Sequence, residues 1–334
     1  MRLITSILLT FFPSFIENRL RKVLLNQEIG KGSKIGFFTI LKAKEVKIGK
    51  GSKIKPFSYV VAEHLEIGNY STIKSFSIIS TRVVKIADYV HIANFAFIRG
   101  PFMEKSKISI GNHSRIFPFC WLDTNQGITI GNHVGIGGLT LIFTHGVWSN
   151  YFKGGPVTFK DVVIEDDVWL PWRVFVMPGV TIGKGSIVGA NSLINKSISA
   201  NSLAAGSPAK IIKEDFVKTP DQSEIIKRLE ESITDFYNYL VFKNKLTEFE
   251  KINETSYTST QIEIYINTVP EKTSKTQLAI ITDEVFNKEI YKNCSFIWEM
   301  KSDTLYFKSK NKMIDEFSDF IRRYGVRLTK TLIN

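Results

Sequence analysis

From residue 29 onward the aliphatic positions of the chain recur at a step of six. Ile29, Ile35 and Leu41 are followed by Ile48, Ile54 and Val60, then by Ile67, Ile73 and Ile79, and late in the run by Ile182, Val188 and Ile194. Neither the helical period of 3.6 nor the strand period of 2 accounts for this pattern. Eight units open in the same way: Ile29-Gly30-Lys31-Gly32-Ser33, Ile48-Gly49-Lys50-Gly51-Ser52, Ile67-Gly68-Asn69-Tyr70-Ser71, Ile86-Ala87-Asp88-Tyr89-Val90, Ile110-Gly111-Asn112-His113-Ser114, Ile130-Gly131-Asn132-His133-Val134, Ile164-Glu165-Asp166-Asp167-Val168 and Ile182-Gly183-Lys184-Gly185-Ser186. Three steps of six make a coil of about 18 residues, which predicts a triangular prism of short parallel strands with each aliphatic aimed at its axis. At about 4.8 Å per rung, eight coils extend roughly 38 Å. The Gly, Asn and Asp residues beside the aliphatics are expected to serve the corners, where positive φ is tolerated.

The flanks of this run read differently. Residues 1–28 carry an apolar stretch from Leu3 to Ile16, followed by Glu17, Arg19, Arg21 and Lys22. It is shorter than the roughly 20 residues that span a bilayer, and no small-residue cleavage site follows it. The expectation is an amphipathic helix, interrupted at Pro13, that rests on an anionic membrane surface or packs against the end of the prism. After 212 the six-residue step stops. A helix is expected over Asp221–Lys245, strands over Ile262–Ile266, Leu278–Ile281 and Ser295–Phe307 with a turn at Lys301-Ser302-Asp303, and a helix over Met313–Tyr324. The expected organisation is therefore a helix in 1–28, a β-helix in 29–212 and a small α+β accessory domain in 213–334. That last domain is expected to recognise a glycan, membrane or partner protein, or to cap the open end of the β-helix.

Composition adds little except in charge. The chain is 43% hydrophobic and 23% charged, and Cys120 and Cys294 have neither metal-ligand spacing nor a disulfide framework around them, which suits a cytoplasmic location. The net charge of +12 is concentrated in 1–212, with 25 Lys and Arg against 12 Asp and Glu; 213–334 holds 19 against 20. Such a field favours anionic partners, among them phosphorylated cofactors, acidic glycans and the inner leaflet of a membrane. Zinc-finger spacings, basic heptads and RNA-binding aromatic signatures are all lacking, so nucleic acid is not an expected partner.

The units over 29–212 resemble the hexapeptide-repeat acyltransferases, and among them the sugar O-acetyltransferases of the maltose/galactoside type and those that decorate bacterial surface polysaccharides. The resemblance extends to the end of the run, at Val168-Trp169-Leu170, Met177-Pro178-Gly179-Val180, Val188-Gly189-Ala190-Asn191-Ser192 and Ala205-Gly206-Ser207-Pro208-Ala209-Lys210. It implies a left-handed parallel β-helix, a homotrimer, acetyl-CoA as donor, no metal and a saccharide acceptor. Handedness comes from the resemblance alone, since ordinary crossovers are right-handed.

Departures from the repeat point to the chemistry. The first units start 19 residues apart, but the intervals 86–110 and 130–164 are 24 and 34. A solenoid expels extra residues as loops, and loops carry sites. The larger insertion, Phe143–Phe159, begins Thr144-His145-Gly146, where the family has an extended loop with its catalytic histidine at the root. His145 is thus the expected general base, suited by an imidazole that titrates near neutral pH. Asp123, one coil earlier, is expected to orient it or to bind sugar hydroxyls, and Trp121 and Asn125 to contact the acceptor. For the donor, the resemblance points to Trp169, Gly189, Ala190 and Asn191 beside pantetheine in a groove between protomers, with Lys196 and Lys210 at the phosphates. The family usually has Trp-Ile-Gly and a small residue where this chain has Trp169-Leu170-Pro171-Trp172-Arg173, so Trp172 is expected to line or narrow that path.

His113 and His133 hold equivalent places and are expected to stack on one corner, with His64 and His91 structural. Zinc-dependent γ-carbonic anhydrases share the β-helix, but they place a second histidine where Asn150 stands, five residues beyond His145, so zinc chemistry is not expected. Two alternatives to O-acyl transfer are N-acyl transfer to an amino sugar and a non-catalytic trimeric scaffold.

Overall fold

The computed structural model describes residues 9, 12, 14–147, 149–243, 249–253, 255–259, 262–268, 275–282, 291, 294–309 and 311–332. Most of the apolar stretch Leu3–Ile16 and Trp148 lie outside these. The chain divides into two compact units, Met1–Lys218 and Thr219–Asn334. The first extends beyond the last repeat because Asn201 fastens the following segment, its carbonyl accepting from Phe216 N at 2.8 Å and its side chain from Val217 N at 3.1 Å.

The first unit is a left-handed parallel β-helix. One face stacks eight strands from Glu28–Ile29 to Thr181–Ile182, and another stacks eight from Ile40–Lys42 to Leu193–Ile194. The face between them, from Lys34–Ile35 onward, ends with Leu203–Gly206 turning back into an antiparallel Ala209–Lys213 that closes the stack. Registers align the six-step aliphatics: Ile29 opposite Ile48, Ile35 opposite Ile54, Leu41 opposite Val60. All are at most 5% exposed and form one continuous core column. Each such side chain contributes about 1.5–3 kcal/mol of hydrophobic stabilisation.

The corners hold a difference from expectation. The glycine directly after the aliphatic is required by close approach, not by φ: a Cβ on Gly49 would lie 2.5 Å from the Gly68 carbonyl carbon of the next coil. Positive φ falls two residues later, at Gly51, Tyr70, Tyr89, His113 and His133. On a second corner it falls on Phe38, Phe57, Phe76, Phe95 and Phe119, all with φ of 55–62°. Aromatic residues are costly in this region, by about 1–2 kcal/mol each. The offset is a ladder of stacked rings, with Phe38 to Phe119 spaced 5.1–5.5 Å and Tyr89, His113 and His133 at 4.8 and 5.1 Å. Phe76→Gly is therefore expected to be more stable than Phe76→Ala by about 1 kcal/mol in thermal unfolding, despite its smaller side chain. The opposite order would mean that this corner stores no strain.

The open N-terminal edge is covered by α1 (Ser14–Leu25), which begins directly after Pro13. Its side chains satisfy carbonyls of the first coil: Ser14 Oγ donates to Ile35 O, Asn18 Nδ2 to Ser33 O and Arg21 Nη1 to Leu41 O. Glu17 and Arg21 are fully buried, their charges 2.8 Å apart. Burial outweighs the attraction of Arg21 and pushes the Glu17 carboxyl up to about 7. Glu17→Ala strands the Arg21 cation and is expected to cost about 3–5 kcal/mol, whereas Glu17→Met with Arg21→Leu should be near neutral. Equal losses in the single and double variants would refute a net desolvation penalty. Among the described residues, no helix is long and apolar enough to cross a membrane.

The second unit is a seven-stranded mixed sheet with α2 (Gln222–Phe242) and α3 (Lys312–Ile321). Asp221 caps α2, its carboxylate accepting from Glu224 N. The helices bury Phe236, Leu240, Phe317 and Phe320 against Ile264, Leu278 and Trp298. Residues 244 and 245, the end of the helix expected over Asp221–Lys245, lie outside the described part. The strand expected over Ser295–Phe307 is a hairpin of Phe296–Glu299 and Thr304–Phe307, turning at 301–303 as expected. Three further strands, Phe249–Asn253, Ser256–Ser259 and Thr329–Leu332, go beyond the sequence expectation. In Ser256–Ser259 and Thr329–Leu332 the Ser and Thr residues hide the alternation that marks a strand.

Candidate active site

The expected insertion after Ile142 is a β-hairpin. His145–Val147 pairs antiparallel with Val157–Phe159, and a 3-10 turn, Tyr151–Lys153, forms its tip. Asn150 caps that turn by accepting from Phe152 N at 2.9 Å, and Gly154 leaves it at φ 84°. Asn150 is thus spent on loop geometry. Among the described residues, no three His, Cys, Asp or Glu side chains gather as a metal site.

His145 stands where the hairpin leaves the prism, and its Nδ1 lies 2.6 Å from Asp123 Oδ2. Asp123 ends the strand Trp121–Asp123, one rung earlier on the same face. Its side chain is 10% exposed and that of His145 34%. Thr144 holds the carboxylate in place: its N lies 3.3 Å and its Oγ1 3.2 Å from Asp123 Oδ2, while Oγ1 also donates to Asp123 O at 2.8 Å. A carboxylate only accepts, so Nδ1 carries the imidazole proton and Nε2 is left as the acceptor. The ring is steadied by Phe159 at 6.4 Å, near parallel, and Phe143 at 6.3 Å. The result is a partly exposed imidazole whose Nε2 has the chemistry to accept a proton from a weakly acidic hydroxyl.

Of the other expected site residues, Trp121 is on the strand of Asp123, 39% exposed and stacked on Phe97. Asn125 follows at the corner, its carbonyl accepting from Ser106 Oγ. Lys196 is exposed on this same corner, two rungs beyond His145, because Ile142 aligns with Val176 and Val176 with Ile194. The remaining donor candidates are elsewhere. Trp169 and Lys210 belong to the neighbouring face, and Trp172 and Gly189-Ala190-Asn191 to the corner on the far side of the Trp121 face. Within the chain His145 and these residues are not brought together.

Trp172 has a definite resting place. A Cβ on Gly138 would meet its ring at 2.5 Å, so the indole lies on the glycine backbone of the preceding coil and keeps 49% of its surface exposed. Gly189 has a packing reason of its own, since a Cβ there would meet Ala205 Cβ at 2.6 Å. Sequence reasoning missed Thr144, Phe143 and Phe159. Thr144 is signalled only by its position before His145, and Phe159 is brought close by hairpin pairing that no local pattern reveals.

A family model described as bacterial transferase hexapeptide (six repeats) matches residues 161–196, the coils that follow the hairpin. The galactoside O-acetyltransferase of Lactococcus lactis is 44% identical over 105 residues, 30% of this chain and 50% of that one. WcaF of Escherichia coli, named as a putative colanic acid biosynthesis acetyltransferase, is 37% identical over 110 residues, 32% and 59%. The chain thus spans about half the length of the curated relatives it matches. A hexapeptide-repeat-containing acetyltransferase of Vibrio cholerae is 30% identical in its crystal structure, covering 45% of this chain and 73% of that one at a TM-score of 0.32. A second structure of that protein, complexed with acetyl coenzyme A, is matched at 29% identity over 45% of this chain and 70% of that one, TM-score 0.33. The repeat model falls on the terminal coils: residues 161–196 carry the bacterial transferase hexapeptide repeat.

Proposed function

We propose that the protein transfers an acetyl group from acetyl-CoA to a hydroxyl of a saccharide, in the assembly of a surface polysaccharide or lipopolysaccharide. The observation that carries this reading is the 2.6 Å contact between His145 and a buried, threonine-held Asp123. His145 Nε2 accepts the proton of the attacking hydroxyl as its oxygen bonds to the acyl carbon, and the same nitrogen returns the proton to the departing sulfur. Acetyl-CoA supplies the thioester carbonyl. Asp123 keeps the proton on Nδ1 and stabilises the imidazolium between the two transfers. No acyl-enzyme is needed. The names of the galactoside and colanic acid relatives, and the acetyl coenzyme A bound by the Vibrio relative, support the choice of donor and acceptor class.

The donor residues fit a coenzyme A thioester. Trp169 and Trp172 offer exposed apolar surface for pantetheine, and Lys196 and Lys210 are exposed cations for its phosphates. In this reading the protein is a homotrimer, in which a neighbouring copy brings its Trp172–Asn191 corner to His145. The outward surface of the Trp121 face supports that arrangement, with Tyr59, Trp121 and Leu141 each 37–39% exposed. Contact with the inner face of the membrane through 1–25 is supported by exposed Phe15, Val23 and Leu24 beside Arg19 and Lys22.

Incubation with radiolabelled acetyl-CoA and a panel of sugars tests the proposal. Alkali-labile label on a hydroxylated acceptor is expected; alkali-stable label confined to amino sugars would replace O-transfer by N-transfer.

A further inference from the structure

Arg99 has no part in the proton transfers or in donor binding, yet it stands one rung from Asp123, the partner of the candidate base. The strand Phe97–Arg99 pairs in parallel register with Trp121–Asp123, Arg99 opposite Asp123, so the two residues are one rung, about 4.8 Å, apart. Ile98 points to the core at 0% exposure, and Arg99 points outward and is exposed. The nearby cations of this corner are already engaged: Lys44 pairs with Glu63 at 2.8 Å, and Arg82 donates to Met103 O while lying 3.9 Å from Glu63. Arg99 makes no ion pair among the described residues, and Asp123 is committed to Thr144 and His145. Exposed Lys105, in the insertion beside the exposed carboxylate of Glu104, and exposed Lys107, at the start of the strand Lys107–Ile110, leave the surroundings net positive.

We infer that the acceptor saccharide carries an oxyanion, a carboxylate or a phosphate ester, beside the hydroxyl that is acetylated, and that Arg99 holds it. This rests on the transferase reading. A planar guanidinium binds either oxyanion in a two-point fork, which fixes orientation as well as position. One rung from Asp123, that fork would fix how the sugar sits relative to His145. A neutral sugar could use Arg99 only as a donor to hydroxyls and would gain no charge pairing.

The test uses the full-length protein and three probes: methyl β-glucuronide, glucose 1-phosphate and methyl β-glucoside. Binding is followed by saturation-transfer NMR and transfer by thiol release. The wild type is expected to favour an anionic probe over the glucoside by about 10- to 100-fold in kcat/KM, carried by KM, the range of a charge-assisted hydrogen bond. In Arg99→Gln that ratio should collapse toward one, and Arg99→Lys should recover part of it. Preference for the glucuronide names a carboxylate, and for the sugar phosphate a phosphate. A ratio near one in the wild type, or one unchanged in a folded Arg99→Gln protein, would overturn the inference. If no sugar is acetylated but anionic probes bind the wild type and not Arg99→Gln, the transferase reading fails and the anion site stands.

Discussion

Replacing His145 with alanine is expected to lower kcat for acetyl transfer by about 10² to 10⁴, the range that a positioned general base supplies. The loss should appear in kcat, with donor binding retained. Of the residues matched to the donor, Lys196 shares the corner of His145 two rungs away, and the others lie on another face and corner of the prism. Removal of the ring also frees Asp123 from one partner, but Thr144 N and Oγ1 still engage its carboxylate, so the coil should remain folded. Single-turnover thiol release with and without acceptor checks this directly. A fall in acetyl-CoA affinity that accounts for the whole loss would assign His145 to binding instead.

Asp123 gives the second large effect, and its size depends on the replacement. Asp123→Asn is nearly isosteric, but its amide N–H can donate to Nδ1 and so move the imidazole proton to Nε2, where it blocks proton abstraction. The loss in kcat should reach as much as about 10⁴, as in other histidine–carboxylate pairs. Asp123→Ala removes the orienting contact without enforcing the wrong tautomer, so it should be the milder of the two. If asparagine is tolerated better than alanine, Asp123 serves packing or sugar binding and not tautomer control.

The coils and the root of the hairpin are legible in the residue spacing, because a solenoid writes its geometry into its repeat. The six-step aliphatics specify the coils and their register, since each of Ile29, Ile48 and Ile67 must meet the next in line to remain dry. The interval of 34 residues marks the hairpin, as extra residues cannot be stored inside a prism of fixed cross-section. What the spacing hides depends on neighbours supplied by other coils. Gly49 looks like a turn residue but is a contact residue, and Phe57 or Phe76 looks like core but stands on an exposed, left-handed corner. Arg99 carries no local signal because its meaning comes from the rung beside it. In the second unit, strands such as Ser256–Ser259 and Thr329–Leu332 carry weak alternation and are recruited by pairing with stronger strands.

A pair of calorimetric titrations with acetyl-CoA, wild type against His145→Ala, bears most directly on the transferase reading when run alongside thiol release in a mixed saccharide acceptor. Comparable binding by both proteins is expected, with acceptor-dependent thiol release by the wild type alone. Absence of acetyl-CoA binding in either protein would refute the transferase, leaving the β-helix as a scaffold with Trp172 closing the donor path.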